Sequence, residues 1–209
     1  MHNEVRALSE LISIADKNVA VSFSGGKDSL VALDLTVRAG IRQAVFVNTT
    51  IEFEETFHYI SIIKEFYDID LTIARSPTDF FSLVELIGFP SRRFRWCCEV
   101  FKFAPLSSYS RKREIDYFVT GLRRDEHFTR QNYQIADTNP LVTANQFNPI
   151  LNWTTQDVWE YISRYNLPIN PLYKRFKRIG CWCCPFRTDE DWRILQEFYP
   201  EKMGHLKKA

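Results

Sequence analysis

The sequence lacks any long apolar segment, both at its start and along the rest of its 209 residues. A helix that crosses a bilayer needs about 20 consecutive apolar residues, and a secretory signal needs an apolar stretch close to the N-terminus. Neither occurs, so we expect a cytoplasmic protein that no membrane holds. Internal repeats, low-complexity segments and linkers are also missing, and a single domain over residues 1–209 is expected.

An excess of charge of either sign is lacking as well, since 27 Lys and Arg stand against 26 Asp and Glu. No global field therefore attracts a polyanion. Basic residues do form local clusters, at 92–95, 111–113, 123–124 and 174–178. Such runs are usually solvated surface; the alternative is that several of them converge on a polyanion.

Cysteine is scarce, and its five residues fall into two tight groups. The first is Cys97-Cys98, and the second is Cys181-Trp182-Cys183-Cys184. Disulfides do not persist in a reducing compartment, where such clustering favours metal ligation or redox chemistry. The two groups therefore predict a metal or redox centre.

Two of the seven glycines stand together in the stretch around which the chain is organised, residues 19–29. The mostly apolar residues 19–23 predict a strand, and a helical pattern runs from Lys27 to Ala39. Gly25 and Gly26 allow close backbone approach and a positive φ, and the N-terminus of the helix offers free N–H groups and a positive dipole end. A Gly-Gly pair alone is more often a plain turn, but this context favours a phosphate site. The side chains expected to take part are Ser22, Ser24, Lys27, Asp28 and Ser29.

Strands alternate with helices along the chain. Apolar runs predict further strands at 44–48, 71–74 and 117–121, with helical patterns between them, and Thr154 is a typical N-cap of a later helix. This alternation predicts an α/β fold with a parallel sheet, whose ligands bind beyond the carboxyl ends of the strands. Residues 131–147 show no clear period, and no strand is predicted there.

Five motifs follow one another in a characteristic order. They are Ser24-Gly25-Gly26-Lys27-Asp28-Ser29; Arg95-Trp96-Cys97-Cys98 with Lys102 and Pro105-Leu106; Gly121-Leu122-Arg123-Arg124-Asp125-Glu126; Pro149-Ile150-Leu151-Asn152-Trp153 with Asp157-Val158-Trp159; and Gly180-Cys181-Trp182-Cys183-Cys184-Pro185. The first resembles the pyrophosphate-binding loop (PP-loop) of the adenine-nucleotide α-hydrolase superfamily, and its adjacent glycines distinguish it from the G-x-x-x-x-G-K-[ST] loop. The series resembles the phosphoadenosine-phosphosulfate (PAPS) reductase family of that superfamily over residues 17–187.

The resemblance implies a five-stranded, mostly parallel sheet with helices on both faces. It divides the domain into a nucleotide-binding core at 17–147 and a small helical C-terminal region at 148–209 with the second cysteine group. It also implies ATP or adenylylsulfate (APS) or PAPS as the nucleotide, with its phosphates on the PP-loop and its adenosine near Asn48 and Thr49. Arg123 and Arg124 would bind the anionic end of the substrate, and Lys27 would contribute to catalysis.

The cysteine spacing resembles the ligand arrangement of the [4Fe–4S] cluster in APS reductases. Cys97, Cys98, Cys181 and Cys184 match that arrangement. Zinc is the alternative, although adjacent cysteines suit it poorly because its ligand pairs are usually separated by two or more residues. Cys183 is either a packed small side chain or a free thiol that carries sulfur.

One departure from the family bears on function: the reductases carry a catalytic cysteine near the C-terminus, and here none follows Cys184. We therefore expect an iron–sulfur ATP pyrophosphatase that uses Mg²⁺ and adenylylates an acceptor for sulfur transfer, like relatives in DNA phosphorothioation and tRNA thiolation. The alternatives are a thiol-dependent APS or PAPS reductase, with Cys183 or a partner supplying the thiol, and a nucleotide-sensing module. Expected partners are a sulfur or electron donor of the cysteine desulfurase, thioredoxin or ferredoxin type, a nucleic-acid acceptor as one option, and a second copy in a homodimer.

Overall fold

The sheet at the centre of the fold has six strands in the order β3-β2-β1-β4-β6-β5. It is seen in a computed structural model that describes residues 2–208. The strands are β1 Val19–Ser22, β2 Gln43–Asn48, β3 Asp70–Arg75, β4 Tyr117–Val119, β5 Ala136–Asp137 and β6 Asn145–Phe147. The α-helices are α1 His2–Ile12, α2 Lys27–Arg38, α3 Glu54–Tyr67, α4 Phe80–Ile87, α5 Trp96–Cys98, α6 Ala104–Arg113, α7 Thr155–Arg164, α8 Asp189–Phe198 and α9 Pro200–Leu206. A π-helical segment, Glu99–Phe103, joins α5 to α6, and 3₁₀ turns cover Arg124–Glu126, Phe128–Arg130 and Pro171–Lys174.

Alternate residues of the central strands face opposite sides of the sheet, as the pleat requires. Val19 and Val21 pack into a core with α1, α2, α3 and α7, whereas Ala20 packs on the other face with Tyr109 of α6 and Phe118. All neighbouring strands are parallel except β5, which runs antiparallel to β6. The predicted α/β fold, with a mostly parallel sheet and helices on both faces, is confirmed.

The carboxyl ends of three adjacent strands place the predicted motifs side by side. Strand β1 pairs with β2 on one side and with β4 on the other. The segments at the ends of these three strands are the PP-loop, Asn48-Thr49-Thr50, of which Asn48 is the last residue of β2, and the Gly121 segment. Because the strands are parallel, the three segments emerge at the same edge of the sheet.

The sheet has one strand more than the resemblance implies, and the difference lies in residues 131–147. Strand β6 pairs in parallel with β4, and the two-residue β5 completes the sheet. The strands are two and three residues long, and only Phe147 among them is buried. Segments this short cannot show a period of two, so the sequence carries no signal for them.

The C-terminal region is anchored by two capped helices and a second core. Thr154 caps α7 and Thr188 caps α8, each in a capping box with the aspartate three residues later. The second core joins Phe53 and Phe80 to Trp182 and Leu195, and it surrounds the cysteines. Among the described residues, no helix is both long enough and apolar enough to span a membrane.

Candidate functional site

The PP-loop is shaped for the close approach of an anion. Gly25 has a φ of +77°, a left-handed conformation in which a side chain is strained. A Cβ on Gly26 would lie 3.5 Å from the Tyr173 hydroxyl and 3.7 Å from Ser24 Oγ, so a side chain there would contact both groups. The hydroxyls of Ser24 and Ser29 lie 3.1 Å apart, and Ser29 donates to the Gly26 carbonyl over 2.9 Å. Two hydroxyls and the N-terminus of α2 thus converge at one point, which suits a phosphate group.

Asp28 is the carboxylate on which two cations meet. Lys27 Nζ lies 2.6 Å from Asp28 Oδ2, and Arg123 Nε donates to Asp28 Oδ1 over 2.7 Å. The Arg123 side chain is 1% exposed. Its remaining acceptors, each at 3.2 Å, are Asp125 Oδ2, the Trp153 carbonyl and Thr155 Oγ1. Arg123 is therefore buried against the PP-loop, where it holds Asp28, which in turn pairs with the Lys27 ammonium.

Gly121 is a site residue whose role the sequence does not reveal. It follows β4, and a Cβ added to it would lie 2.5 Å from Asp28 C and 2.5 Å from Ser29 N. Those atoms belong to the backbone at the start of α2, so no side chain can move aside to make room. Gly121 lets the carboxyl end of β4 pack directly against the PP-loop.

A second support reaches the PP-loop from the segment before the 3₁₀ turn at 171–174. Asn170, which is 1% exposed, donates from Nδ2 to the Gly25 carbonyl over 3.3 Å. The Tyr173 hydroxyl accepts from the Lys27 backbone N–H over 2.8 Å, and burial raises the pKa of Tyr173. The only sequence signal for this support is a pair of prolines, Pro168 and Pro171, which exclude a helix.

The remaining residues predicted near the nucleotide differ in their surroundings. Ser22 ends β1 and is half-buried, and Asn48 Oδ1 accepts from the Thr50 backbone N–H over 2.8 Å. Arg124 donates to Asn152 Oδ1 and to the Tyr133 carbonyl. These contacts tie the Arg124 guanidinium to the segments that follow β4 and precede α7.

Thr49, which is predicted to lie near the adenosine, contacts the second cysteine group. It is 2% exposed, donates to Glu52 Oε1 over 2.6 Å, and places Oγ1 3.4 Å from Cys181 Sγ. Cys181 Sγ in turn lies 3.9 Å from Glu52 Oε1. Thr49 and Glu52 therefore link the carboxyl end of β2 to the second cysteine group.

All five cysteines line one cavity of about 30 Å³. Cys97 and Cys98 come from α5, and the other three come from the loop that precedes α8. None of the five thiols is exposed, and Cys181 and Cys183 are buried. The other lining residues are Thr49, Ile51, Phe80, Pro90, Phe101, Lys102 and Pro185. The fold thus brings together the two groups that are far apart in sequence.

A cation stands at the wall of this cavity. The pKa of Lys102 is raised, chiefly by the charge of a Cys181 thiolate beside it. Contact with Cys97 lowers the pKa of Cys98, and the charges of Lys102 and Arg95 act in the same direction. Burial raises the pKa of Cys183. The fifth cysteine is therefore a buried thiol, and its burial disfavours the reactive thiolate form.

Arg187 holds the loop that carries the second cysteine group. Its side chain donates to the carbonyls of Gly180 and Cys181 over 2.9 and 3.3 Å, and its guanidinium carbon lies 4.7 Å from the centre of the Phe176 ring and 5.3 Å from that of Phe53. It is 6% exposed. A buried cation that donates to backbone carbonyls and stacks on two rings fixes the loop from below. Nothing in the sequence distinguishes Arg187 from the exposed arginines of the chain.

The cysteine cavity suits a group with sulfur ligands. Among residues 2–208, no three His, Cys, Asp or Glu side chains are arranged to hold a single metal ion as they stand. The donor set is nevertheless appropriate, because four predicted ligands share one cavity whose walls combine apolar shielding with the Lys102 ammonium.

Known proteins resemble the chain over most of its length. An adenosine 5′-phosphosulfate reductase of Anoxybacillus flavithermus is 31% identical over 183 residues, which are 81% of this chain and 74% of that protein. An uncharacterized protein of Methanocaldococcus jannaschii is 35% identical over 192 residues, but the match covers 89% of this chain and 46% of the relative. The chain thus spans less than half the length of that longer relative.

Solved structures show the same fold at low sequence identity. The phosphoadenylyl-sulfate reductase of Candida auris, in its phosphate complex, superposes with a TM-score of 0.68 at 19% identity, covering 85% of this chain and 89% of that one. The U34-tRNA thiolase of Methanococcus maripaludis with its [4Fe-4S] cluster gives a TM-score of 0.60 at 18% identity, covering 98% and 73%.

The family model described as "Phosphoadenosine phosphosulfate reductase domain" matches residues 18–187, from the start of β1 to the end of the second cysteine group. This span contains all five motifs in order, the PP-loop among them, and all the residues that line the cysteine cavity. The relatives that carry names are enzymes. The chain belongs to the phosphoadenosine phosphosulfate reductase domain family.

Proposed function

We propose that the protein is an ATP pyrophosphatase that transfers an adenylyl group to an acceptor and so prepares it for sulfur insertion. The observation that carries this proposal is the position of the cysteines: all five line one cavity, and Cys183, the one not needed as a predicted ligand, is 6% exposed. A reductase needs a thiolate free to attack the sulfur of an adenylyl sulfate. Adenylylation needs none.

In the proposed reaction, an acceptor oxygen forms a bond to the α-phosphorus of ATP. The bond between the α-phosphorus and the bridging oxygen to the β-phosphate breaks, and pyrophosphate leaves with the electron pair. Ser24, Ser29 and the backbone of the PP-loop would hold the leaving pyrophosphate, with Mg²⁺ balancing its charge. The Lys27 ammonium, oriented by Asp28 and Arg123, would offset the charge that develops on it.

Cys97, Cys98, Cys181 and Cys184 would hold a [4Fe–4S] cluster in the same protein. When bound, such a cluster supplies electron-transfer or sulfur-binding chemistry. The chain's own contribution is the shielded cavity, the Lys102 charge beside the thiolates, and the Arg187 contacts that fix the loop.

We expect protein purified without oxygen to be brown and to contain iron and acid-labile sulfide. Cys184→Ser should lose most of the iron, because it removes one of four thiolates. Cys183→Ser should keep it, because that sulfur is not among the predicted ligands. Iron, sulfide and zinc are measured on all three proteins. Colourless wild-type protein with one equivalent of zinc would contradict the cluster.

Lys27→Ala should weaken ATP binding by roughly 10- to 100-fold, because a charge-assisted contact to a phosphate contributes about 1.5–3 kcal/mol. Asp28 keeps its bond to Arg123 in this variant, so the fold should survive. Calorimetric titration with ATP gives the dissociation constant, and Lys17→Ala, at an exposed lysine ahead of β1, is the matched control. Equal dissociation constants for the wild type and Lys27→Ala would refute the phosphate assignment.

The competing function is a thiol-dependent reductase, which the named relatives support. Pyrophosphate release from ATP with Mg²⁺, and sulfite release from APS or PAPS with thioredoxin, separate the two. Cys183→Ser should leave pyrophosphate release nearly unchanged. If the protein is instead a reductase that uses its own thiol, the same substitution abolishes sulfite release. Robust sulfite production by the wild type, without pyrophosphate release from ATP, would overturn the proposal.

A further inference from the structure

A set of cations and rings borders the cysteine cavity, and among them only the Arg95 charge acts on a cysteine, Cys98. We call it the arginine–phenylalanine rim: Arg92, Arg93, Phe94, Arg95 and Phe186. Arg92 donates from Nε to the carbonyl of Pro185 over 3.1 Å, which joins the two segments. Pro185 itself lines the cavity, as does Pro90 on the other segment. The rim therefore lies at the edge of the cavity.

The rim presents its rings and its charges outwards. Phe94 is 60% exposed and Phe186 is 40% exposed. The guanidinium carbons of Arg92 and Arg95 lie 5.9 and 5.4 Å from the centre of the Phe186 ring. Phe94 closes a turn that has Arg92 and Arg93 at its tip, because its backbone N–H donates to Ser91 Oγ and its carbonyl accepts from the Ser91 N–H, both over 3.0 Å.

The positive charge of the rim is not neutralised within the described chain. None of the ion pairs among residues 2–208 involves Arg92, Arg93 or Arg95, and all three arginines are exposed. Other arginines of the chain do pair, such as Arg38 with Glu4. Three guanidinium groups without an ion pair, within four residues, make a strongly positive edge on a protein whose net charge is only +1.

We infer that the rim binds a single-stranded polynucleotide and presents it to the cavity. Guanidinium groups bind phosphates, and exposed phenyl rings stack on unpaired bases, which duplexes do not offer. A stable protein complex buries roughly 800 Å² on each partner. The tip of a turn offers much less flat area than that, so the rim suits a strand better than a folded protein. The inference that a strand binds depends on the rim alone. The inference that the bound strand is the acceptor rests on the proposed function.

The test uses fluorescence anisotropy of labelled single-stranded RNA and DNA of about 12 nucleotides, within the usual site size of such surfaces, without ATP. Arg92→Ala/Arg93→Ala should reduce the slope of log affinity against log salt by roughly 1.4, because each phosphate that is no longer neutralised lowers it by about 0.7. Phe94→Ala should weaken binding about fivefold or more, because the base that stacks on its ring loses that support. Lys112→Ala/Arg113→Ala, with the same charge change in another exposed basic cluster, should have little effect. The tighter of the RNA and DNA strands identifies the acceptor type.

Three results would overturn the inference. The first is that a duplex of the same length binds as tightly as the single strand. The second is that the rim double variant and the control double variant lose the same amount of affinity. The third is that polyglutamate binds as tightly as the strands and that Phe94→Ala does not change the affinity. The last result would assign the rim to an acidic protein partner. Lys27→Ala separates the two proposals, because it should lose pyrophosphate release while keeping strand binding. If the wild type binds the strand but releases no pyrophosphate, the inference that the rim binds a polynucleotide stands. The proposal that the bound strand is the acceptor is then refuted.

Discussion

Gly121→Ala is expected to destabilise the protein by about 3 kcal/mol or more and to abolish measurable ATP binding. The new Cβ would lie 2.5 Å from two backbone atoms at the start of α2, Asp28 C and Ser29 N, and 2.7 Å from the Asp28 carbonyl oxygen. Backbone atoms cannot adopt another rotamer, so either α2 or the end of β4 must move. Either movement changes the PP-loop. Urea unfolding without nucleotide and calorimetric titration with ATP measure the two effects.

Gly204→Ala is the matched control for this prediction. Gly204 lies in α9, has no atom within 4 Å of an added Cβ, and has a φ that a side chain tolerates. The change should be neutral or stabilising by about 0.5–1 kcal/mol, because alanine favours a helix over glycine. A Gly121→Ala protein that unfolds at the wild-type urea concentration and binds ATP normally would show that the contact between β4 and the PP-loop is not tight.

The sequence permitted the prediction of those features that depend on neighbouring residues. The PP-loop could be predicted because its strand, glycines and helix are contiguous, and Thr154 because an N-cap is a local motif. The cysteine ligand set could be proposed because the spacing resembles that of cluster ligands in a known family, not because spacing alone brings Cys98 near Cys181. The resemblance supplied the long-range part of that prediction.

The features that sequence reasoning missed are those set by contacts between distant segments. Thr49 follows β2 as expected, but its hydroxyl meets a sulfur 132 residues away. Asn170 and Gly25 are separated by 145 residues, and nothing in either neighbourhood indicates their contact. Short strands such as β5 exist only because β6 is there to pair with, so tertiary context and not local propensity determines them.

Arg123 shows most clearly how burial changes the interpretation of a motif. The family resemblance implies two arginines that bind an anionic substrate, and sequence cannot tell which of them is buried. In the structure, Arg123 donates to two carboxylates, a carbonyl and a hydroxyl, and it is 1% exposed. Its charge is therefore balanced by Asp28 and Asp125 before any nucleotide arrives.

Arg123→Met is expected to lower the free energy of unfolding by about 3–5 kcal/mol in the absence of nucleotide, the usual cost of breaking a buried ion pair. Asp28 would keep only Lys27, and the acceptors on Trp153 and Thr155 would lose their donor. Arg123→Lys should recover part of the stability, because it restores the charge without the fork of donors.

Measuring both the stability and the ATP affinity of these variants decides whether Arg123 positions other residues or contacts the substrate directly. A positioning role predicts lower stability without ATP, measured by urea unfolding, and a weaker affinity for ATP that follows from the altered loop. Direct contact predicts a weaker affinity with wild-type stability. Arg193→Met makes the same change at an exposed arginine of α8 and should leave both quantities within about 0.5 kcal/mol of the wild type. If Arg123→Met had wild-type stability, the positioning role would be refuted and direct contact between Arg123 and the substrate would be favoured. The orientation of the Lys27 ammonium would then not depend on Arg123.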